Sequence, residues 1–205
     1  EFRRVLFRSN PLLKPERSKG WDTGLDAALG AATLSASYFS ADLSDEIFTD
    51  FSAFPFTVRN RAGRSKRHGV ETSLRYQPTD ALVFTASYAF VASNDAAGKQ
   101  EVRRPRNIAS ATASYRFLDN RATVGLSADY NGKMTDVVFV PSIPSGVTTL
   151  KAFTLVTATA SYAVTPTVEL FGRVENLLNQ RYQEVFSYNT PGLAAYGGVR
   201  MRFGG

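Results

Sequence analysis

Strict two-residue alternation, held over runs of ten residues or more, is the feature that most limits what this chain can fold into. Residues 81–90 read ALVFTASYAF, with Leu82, Phe84, Ala86, Tyr88 and Phe90 on one side and Val83, Thr85, Ser87 and Ala89 on the other. In residues 122–131, Val124, Leu126, Ala128 and Tyr130 oppose Thr123, Gly125, Ser127, Asp129 and Asn131. Near the end, Leu193, Ala195, Gly197, Val199, Met201 and Phe203 oppose Ala194, Tyr196, Gly198, Arg200 and Arg202. A period of two sorts side chains onto the two faces of a strand, whereas a helix would scatter them. Nine segments carry the pattern: residues 19–29, 32–48, 56–77, 81–93, 106–117, 122–134, 152–163, 167–177 and 193–203. Strands of soluble domains average about five or six residues. A tilted strand that crosses a bilayer needs roughly nine to eleven, which these segments meet.

The connections alternate in length. Tight turns at Gly30-Ala31, Pro78-Thr79-Asp80, residues 118–121 and residues 164–166 carry the Gly, Pro, Asp and Asn that turns require. Longer stretches lie between them, around residues 44–67, 94–105, 135–151 and 178–192. Short periplasmic turns and long extracellular loops are the layout of outer-membrane barrels. The predicted fold is therefore all-β: an antiparallel transmembrane β-barrel fragment of about nine long meander strands.

Aromatic placement agrees. With the last strand running down toward the periplasm, Tyr76, Phe84, Tyr115, Phe117, Tyr162 and Phe203 fall near lower strand ends. Trp21, Tyr38, Tyr88, Phe90 and Tyr130 fall near upper ends. Two girdles flanking Leu, Val and Ala suit the two membrane interfaces, where amphipathic rings settle. The opposite face carries Asp22, Asp26, Glu71, Arg75, Asp129, Glu169, Arg173, Glu175, Arg200 and Arg202, a wet or plugged lumen. If the last two strands are neighbours, Glu169 and Glu175 meet Arg173, Arg200 and Arg202 across the ladder. Bacterial barrels have an even strand number with both ends in the periplasm, so nine strands imply further strands upstream.

Residues 1–9 (EFRRVLFRS) have no strand or helix period and resemble a translated adapter more than a protein segment; a native basic tail is the alternative. Residues 10–205 are then the barrel portion. Without the head's three arginines and one glutamate, the net charge of +6 becomes +4. Those charges are scattered, and no nucleic-acid partner is expected. The absence of Cys excludes a disulfide framework and thiol catalysis. The single histidine, His68, argues against a His-rich metal site or a histidine-based triad, so no enzyme and no catalytic residue is expected.

Five segments resemble, in order, the TonB-dependent outer-membrane receptors, specifically the C-terminal part of their barrel of about 22 strands. NPLLKPERSKGWDTGL (10–25) is similar to a stretch preceding a late strand. NRAGRSKRHGVETSLRY (60–76) places Asn60, Gly69, Val70 and Glu71 in register with a family segment. RRPRNIASATASYRF (103–117) resembles a strand opening, VENLLNQRYQEV (174–185) a Val-x-Asn-Leu-Phe segment with Leu178 for Phe, and YNTPGLAAYGGVRMRF (188–203) the terminal strand. Leu193 stands where an Arg commonly follows Pro-Gly, and Gly204-Gly205 follow Phe203 where the family ends on an aromatic.

The resemblance implies active uptake of a large scarce nutrient: a ferric siderophore, haem or cobalamin. It implies energy from the TonB complex through a plug domain, insertion by the barrel-assembly machinery, and residence among outer-membrane lipid and lipopolysaccharide of a Gram-negative bacterium. The ligand is a metal chelate; the segment itself holds no cofactor and no metal. Candidate ligand contacts are Arg103, Arg104, Phe139, Tyr182, Phe186 and Tyr188, since Arg binds carboxylate or catecholate oxygens and rings stack on planar ligands. Contact with the plug or packing within loops is the competing role. Arg59, Arg61, Arg64, Lys66, Arg67 and His68 form the densest basic run, suited to lipopolysaccharide phosphates or an anionic chelate, or simply a solvated face. A passive porin, an outer-membrane barrel enzyme and a soluble β-sandwich are the alternatives.

Overall fold

The computed structural model describes residues 7–8, 10–50, 55–138 and 146–203. Nine long strands form one sheet: β1 (Arg17–Leu29), β2 (Ala32–Ser44), β3 (Arg64–Tyr76), β4 (Leu82–Asn94), β5 (Asn107–Phe117), β6 (Ala122–Asn131), β7 (Phe153–Ala163), β8 (Val168–Glu175) and β9 (Ala194–Met201). Each strand pairs with the next in sequence, antiparallel throughout, so the sheet is a pure meander. Among the described residues there is no helix. Tight turns close one end of the sheet and the long connections gather at the other. Gly30 takes φ 60 in the β1–β2 turn, and Leu118, Asp119 and Asn120 take φ 53, 53 and 65 in succession between β5 and β6. Asp and Asn tolerate that left-handed region better than most residues.

Cross-strand register turns the alternation into two continuous faces. Tyr115, Val124, Ala160, Gly172 and Gly197 form one row across five strands. Asp26, Ser35, Ser73, Ser87, Ser110 and Asp129 form a row of the opposite face across six. The Ser87 and Ser110 hydroxyls meet at 2.8 Å. A trough of about 540 Å³ runs along this polar face, with Asp26, Ser35, Ser73 and Ser87 in its lining. The apolar face lies open: Trp21 is 59 % exposed and Leu126 51 %. Such a face needs lipid or a partner, because a soluble protein rarely exposes so wide an apolar band.

The dimensions suit a bilayer. From Trp21 to Leu29 on β1 is eight residue steps, about 27 Å at roughly 3.4 Å per residue. A strand tilt of about 40° reduces that to about 21 Å, near the roughly 25 Å apolar band of membrane barrels. Trp21 packs on Tyr38 with ring centroids 5.3 Å apart at the loop end, and Tyr115 stacks on Phe117 at 5.7 Å at the turn end. All the girdle residues among β1–β8 fall on the apolar side of the register, and Phe203 continues the same parity just beyond β9. Tyr88 departs from its expected height. It sits at the middle of β4, as Tyr38 does in β2, and its hydroxyl donates to Asn107 Oδ1 at 2.7 Å.

Three expected strands are broken. The segment at 32–48 leaves the sheet after Ser44, where Asp45 takes φ 56. Its continuation, Ile47–Asp50, pairs with Phe56–Asn60, which removes the first part of the expected 56–77 strand from the wall. The segment at 122–134 ends at Asn131, and Met134–Val137 pairs instead with Val147–Leu150. Alternation continues through each break because the loop hairpins are themselves strands with two unlike faces. The expected strands at 167–177 and 193–203 are shorter, stopping at Glu175 and Met201. Phe7–Arg8 adds a two-residue parallel strand beside Phe56–Asn60; residues 1–6 and 9 of the basic head, and Gly204-Gly205, lie outside the described residues.

The wall has no core of its own on either side. Buried side chains gather mostly where the long loops meet it: Met134, Leu150, Phe153, Asp136, Asn176, Ser65 and Ser93.

Candidate ligand-binding site in the outer loops

Two polar hubs organise the loop end. The first centres on Asp136, in the hairpin that follows β6, whose side chain is fully buried. One carboxylate oxygen accepts from Arg103 Nε at 2.7 Å and from the Val137 amide at 2.8 Å; the other accepts from the Phe186 amide at 2.7 Å. Arg103 comes from the β4–β5 loop and Phe186 from the β8–β9 loop, so one carboxylate ties three loops together. The Arg103 amide adds a bond to the Thr135 carbonyl at 2.7 Å, and Arg103 holds φ 56. Burial pushes the Asp136 carboxyl up, but the Phe186 amide, Arg103 and the Val137 amide outweigh it and hold it below the usual Asp range.

Glu101 anchors the second hub. It pairs with Arg104 at 2.7 Å and Arg67 at 3.2 Å, and accepts from the Ser93 hydroxyl at 2.5 Å. Arg67 also reaches Glu46 at 3.8 Å, and the Ser65 hydroxyl donates to Glu46. Burial raises the Glu101 carboxyl, and Ser93, Arg67 and Arg104 together bring it below its ordinary value. Beside this hub lies a cavity of about 430 Å³ lined by four carboxylates (Glu16, Glu46, Asp95, Glu101) and by Arg61 and Arg104.

Asparagines fasten the loop bases. Asn60 exchanges two 2.8 Å bonds with the Lys14 backbone and donates to the Asp45 carbonyl at 2.6 Å. Asn176, nine-tenths buried at the end of β8, takes φ 48. It donates to the Gln180 and Pro191 carbonyls at 2.9 and 3.2 Å and accepts from the Gln180 amide at 2.9 Å.

The sequence-derived candidates divide. Arg103 and Arg104 are held in ion pairs with Asp136 and Glu101. Tyr182 packs on Phe153 at 4.4 Å, and with Phe186 it lines a cleft of about 330 Å³. Tyr188 is 71 % exposed. Phe139 lies outside the described residues. The cleft also holds Lys151 and Arg181, which composition alone did not single out, although Arg181 adjoins Tyr182 in sequence. Among the described residues two cations, two aromatic rings and no carboxylate line it, a lining suited to an anionic aromatic ligand.

The basic run is not one patch. Arg59 pairs with Asp50 at 3.0 Å, and Arg61 with Asp95 at 3.6 Å while lying over the Phe48 ring. Arg67 turns to the polar face and joins the Glu101 hub. Arg64, Lys66 and His68 fall on the apolar side of the register. Period-two geometry splits a contiguous run in this way.

At the turn end of the polar face the expected cross-strand charges meet at Glu169, which Arg200 approaches at 2.9 Å and Arg202 at 3.7 Å. Glu175, toward the loop end, is opposite Ala194 and instead meets Arg173 of its own strand at 3.2 Å. Arg173 lies over the Tyr196 ring and Arg200 over Phe171, so this wall mixes charge with aromatic faces.

A family model described as "TonB dependent receptor-like, beta-barrel" matches residues 3–177. The chain belongs to the TonB-dependent receptor family. Solved members resemble it in fold at low identity. The ferripyoverdine receptor of the outer membrane of Pseudomonas aeruginosa shares 19 % identity at a TM-score of 0.78, over 93 % of this chain and 28 % of that one. The FrpB iron transporter of Neisseria meningitidis shares 19 % at 0.76, over 96 % and 33 %. The ferric-catecholate import receptor Fiu of E. coli K12 shares 18 % at 0.73, over 93 % and 28 %. The chain thus spans a third or less of the solved receptors it matches. Members of the TonB-dependent receptor family are outer-membrane proteins of Gram-negative bacteria, and the family is one of receptors and transporters.

Proposed function

We propose that this chain is the C-terminal part of the barrel of a receptor that takes up an anionic iron chelate across the outer membrane, energised by TonB through the plug domain such receptors carry. The observation that carries the ligand class is the cleft of Lys151, Arg181, Tyr182 and Phe186, cationic and aromatic with no acid among the described residues of its lining. Iron is what the solved neighbours named above handle by their printed descriptions. A copper transporter is also similar in fold, at 18 % identity and a TM-score of 0.76. A bare metal ion fits this chain poorly: it has no Cys, one His and two Met, and no cluster of three metal-ligating side chains occurs among the described residues. A chelate brings its own ligands and needs only charge and stacking from the protein.

The test is radio-iron uptake by cells that depend on the full receptor, offered ferric catecholate and ferric carboxylate siderophores, haem and cobalamin in parallel. The expected result is TonB-dependent uptake of a ferric siderophore, weakened about tenfold or more in affinity by the paired substitutions Lys151→Gln and Arg181→Gln. Uptake of cobalamin or haem alone, or no effect of the pair, would overturn the reading.

A further inference from the structure

The three basic residues that fall on the apolar side of β3 do not stand alone. In the β1–β2–β3 register Arg17, Ser44 and Arg64 form one row, Lys19, Asp42 and Lys66 the next, and Trp21, Ser40 and His68 the row below. The two upper rows hold four exposed cations and one carboxylate. Arg64 reaches that carboxylate, Asp42, only at 4.0 Å, with side chains 71 % and 45 % exposed. The charge stops sharply at the next strand, where Lys66 is opposite the neutral Asn94.

The height of these rows is what gives them meaning. They stand one and two pleat repeats above Trp21, and two and three above its ring partner Tyr38, on the loop side of the apolar band. Each repeat is about 7 Å along a strand, so the cations occupy the layer just outside the aromatic belt, where lipid headgroups lie. Successive strands are about 4.8 Å apart, which puts Arg17 and Arg64 roughly 10 Å from one another across the small Ser44. We propose that this crest binds the phosphates of the doubly phosphorylated lipid A headgroup of lipopolysaccharide in the outer leaflet. Two rows of cations across three strands offer a wide headgroup several charge-assisted contacts at once. The inference rests on the outer-membrane placement of the barrel and adds a lipid partner at a defined place on it.

The experiment takes the full receptor folded in neutral detergent, with heat-modifiable gel mobility as the check on the barrel. Native mass spectrometry titrates it with lipid A, with dephosphorylated lipid A and with phosphatidylglycerol. The quadruple variant Arg17→Gln, Lys19→Gln, Arg64→Gln and Lys66→Gln is compared with Arg116→Gln, a cation at the opposite end of the wall. Lipid A should be retained by wild type and Arg116→Gln and weakened about 100-fold or more in the quadruple variant, whose barrel stays folded. The dephosphorylated lipid and phosphatidylglycerol should bind weakly to all three. Equal retention by the quadruple variant, or equal binding of either comparison lipid by wild type, would overturn the proposal. A receptor that never folds in detergent or lipid overturns the membrane placement together with this inference; one that folds and ignores phosphate overturns this inference alone.

Discussion

Replacing Asp136 with Ala should uncouple three outer loops without weakening the wall beneath them. The carboxylate is fully buried and accepts three hydrogen bonds, one of them from a guanidinium. Removing one partner of a buried ion pair costs roughly 3–5 kcal/mol. Arg103 is 43 % exposed and regains water when released, which favours the lower end, about 3 kcal/mol. Because the hub sits in loops, the loss should appear as local opening, about 150-fold more frequent at roughly 1.4 kcal/mol per decade. Amide hydrogen exchange on the full receptor in detergent reads this directly. Peptides containing Arg103, Val137 and Phe186 should all exchange faster, by similar factors, while β5 and β6 keep their protection. Asp136→Asn, which keeps the shape and one acceptor, should fall between. If acceleration stays within Met134–Val137 and leaves the Phe186 amide unchanged, Asp136 is not the joint between loops.

Acidification should reproduce part of that effect. The folded Asp136 and Glu101 carboxyls both lie below their ordinary values, so their stabilisation is fully present above about pH 5 and is lost as pH falls through the lowered folded values. Limited proteolysis of the outer loops between pH 7 and pH 3 should show cutting only at the acid end; loops equally protected at both ends would contradict it. Leu126→Arg, at the middle of the apolar face, should cost about 2–4 kcal/mol in denaturant unfolding from lipid vesicles, and Ser127→Arg, next in sequence on the polar face, much less. Equal costs would mean that the two faces are misassigned. Gly69→Ala should impair folding yields, since a Cβ there would collide with the Phe90 carbonyl oxygen and press within 2.9 Å of the Phe39 ring; unchanged refolding on the same vesicles would show that the strand can shift aside.

The wall was readable in the sequence because its signal is repeated. Leu82, Phe84, Ala86, Tyr88 and Phe90 each report the same face, and neighbours such as Tyr115 and Val124 report it again across the ladder. Lipid on one side and water on the other enforce that period at every position. Breaks were not readable. Ser44 to Ile47 continues the alternation while the backbone turns at Asp45, and nothing in residue type marks a strand that leaves one sheet for another hairpin. The loop site was half readable. Tyr182 and Phe186 were visible as aromatics in a long loop, and both line the cleft. Arg103 and Arg104 were visible as cations, but the carboxylates that hold them were not. Asp136 is a lone acid whose partners lie 33 and 50 residues away, a relation that exists only once the meander has brought the loops together.

The two ends of the sheet also differ in how they can change over generations. Within each pair joined at the turn end (β1–β2, β3–β4, β5–β6 and β7–β8), the second strand inherits its facing from the first through only a few residues. Inserting a single residue into a turn would exchange inside for outside along the next strand: at Gly30-Ala31 it would turn Ser35 and Ser37 toward hydrocarbon, and within residues 118–121 it would turn Asp129. The long connections can absorb one residue, or ten, before the chain rejoins the ladder. Length variation among relatives should therefore collect at the loop end, where ligand, lipid headgroup and environment are met, while the turn end keeps its count. The molecule can be rewritten freely on the side that faces the outside world, and hardly at all on the side that faces the cell.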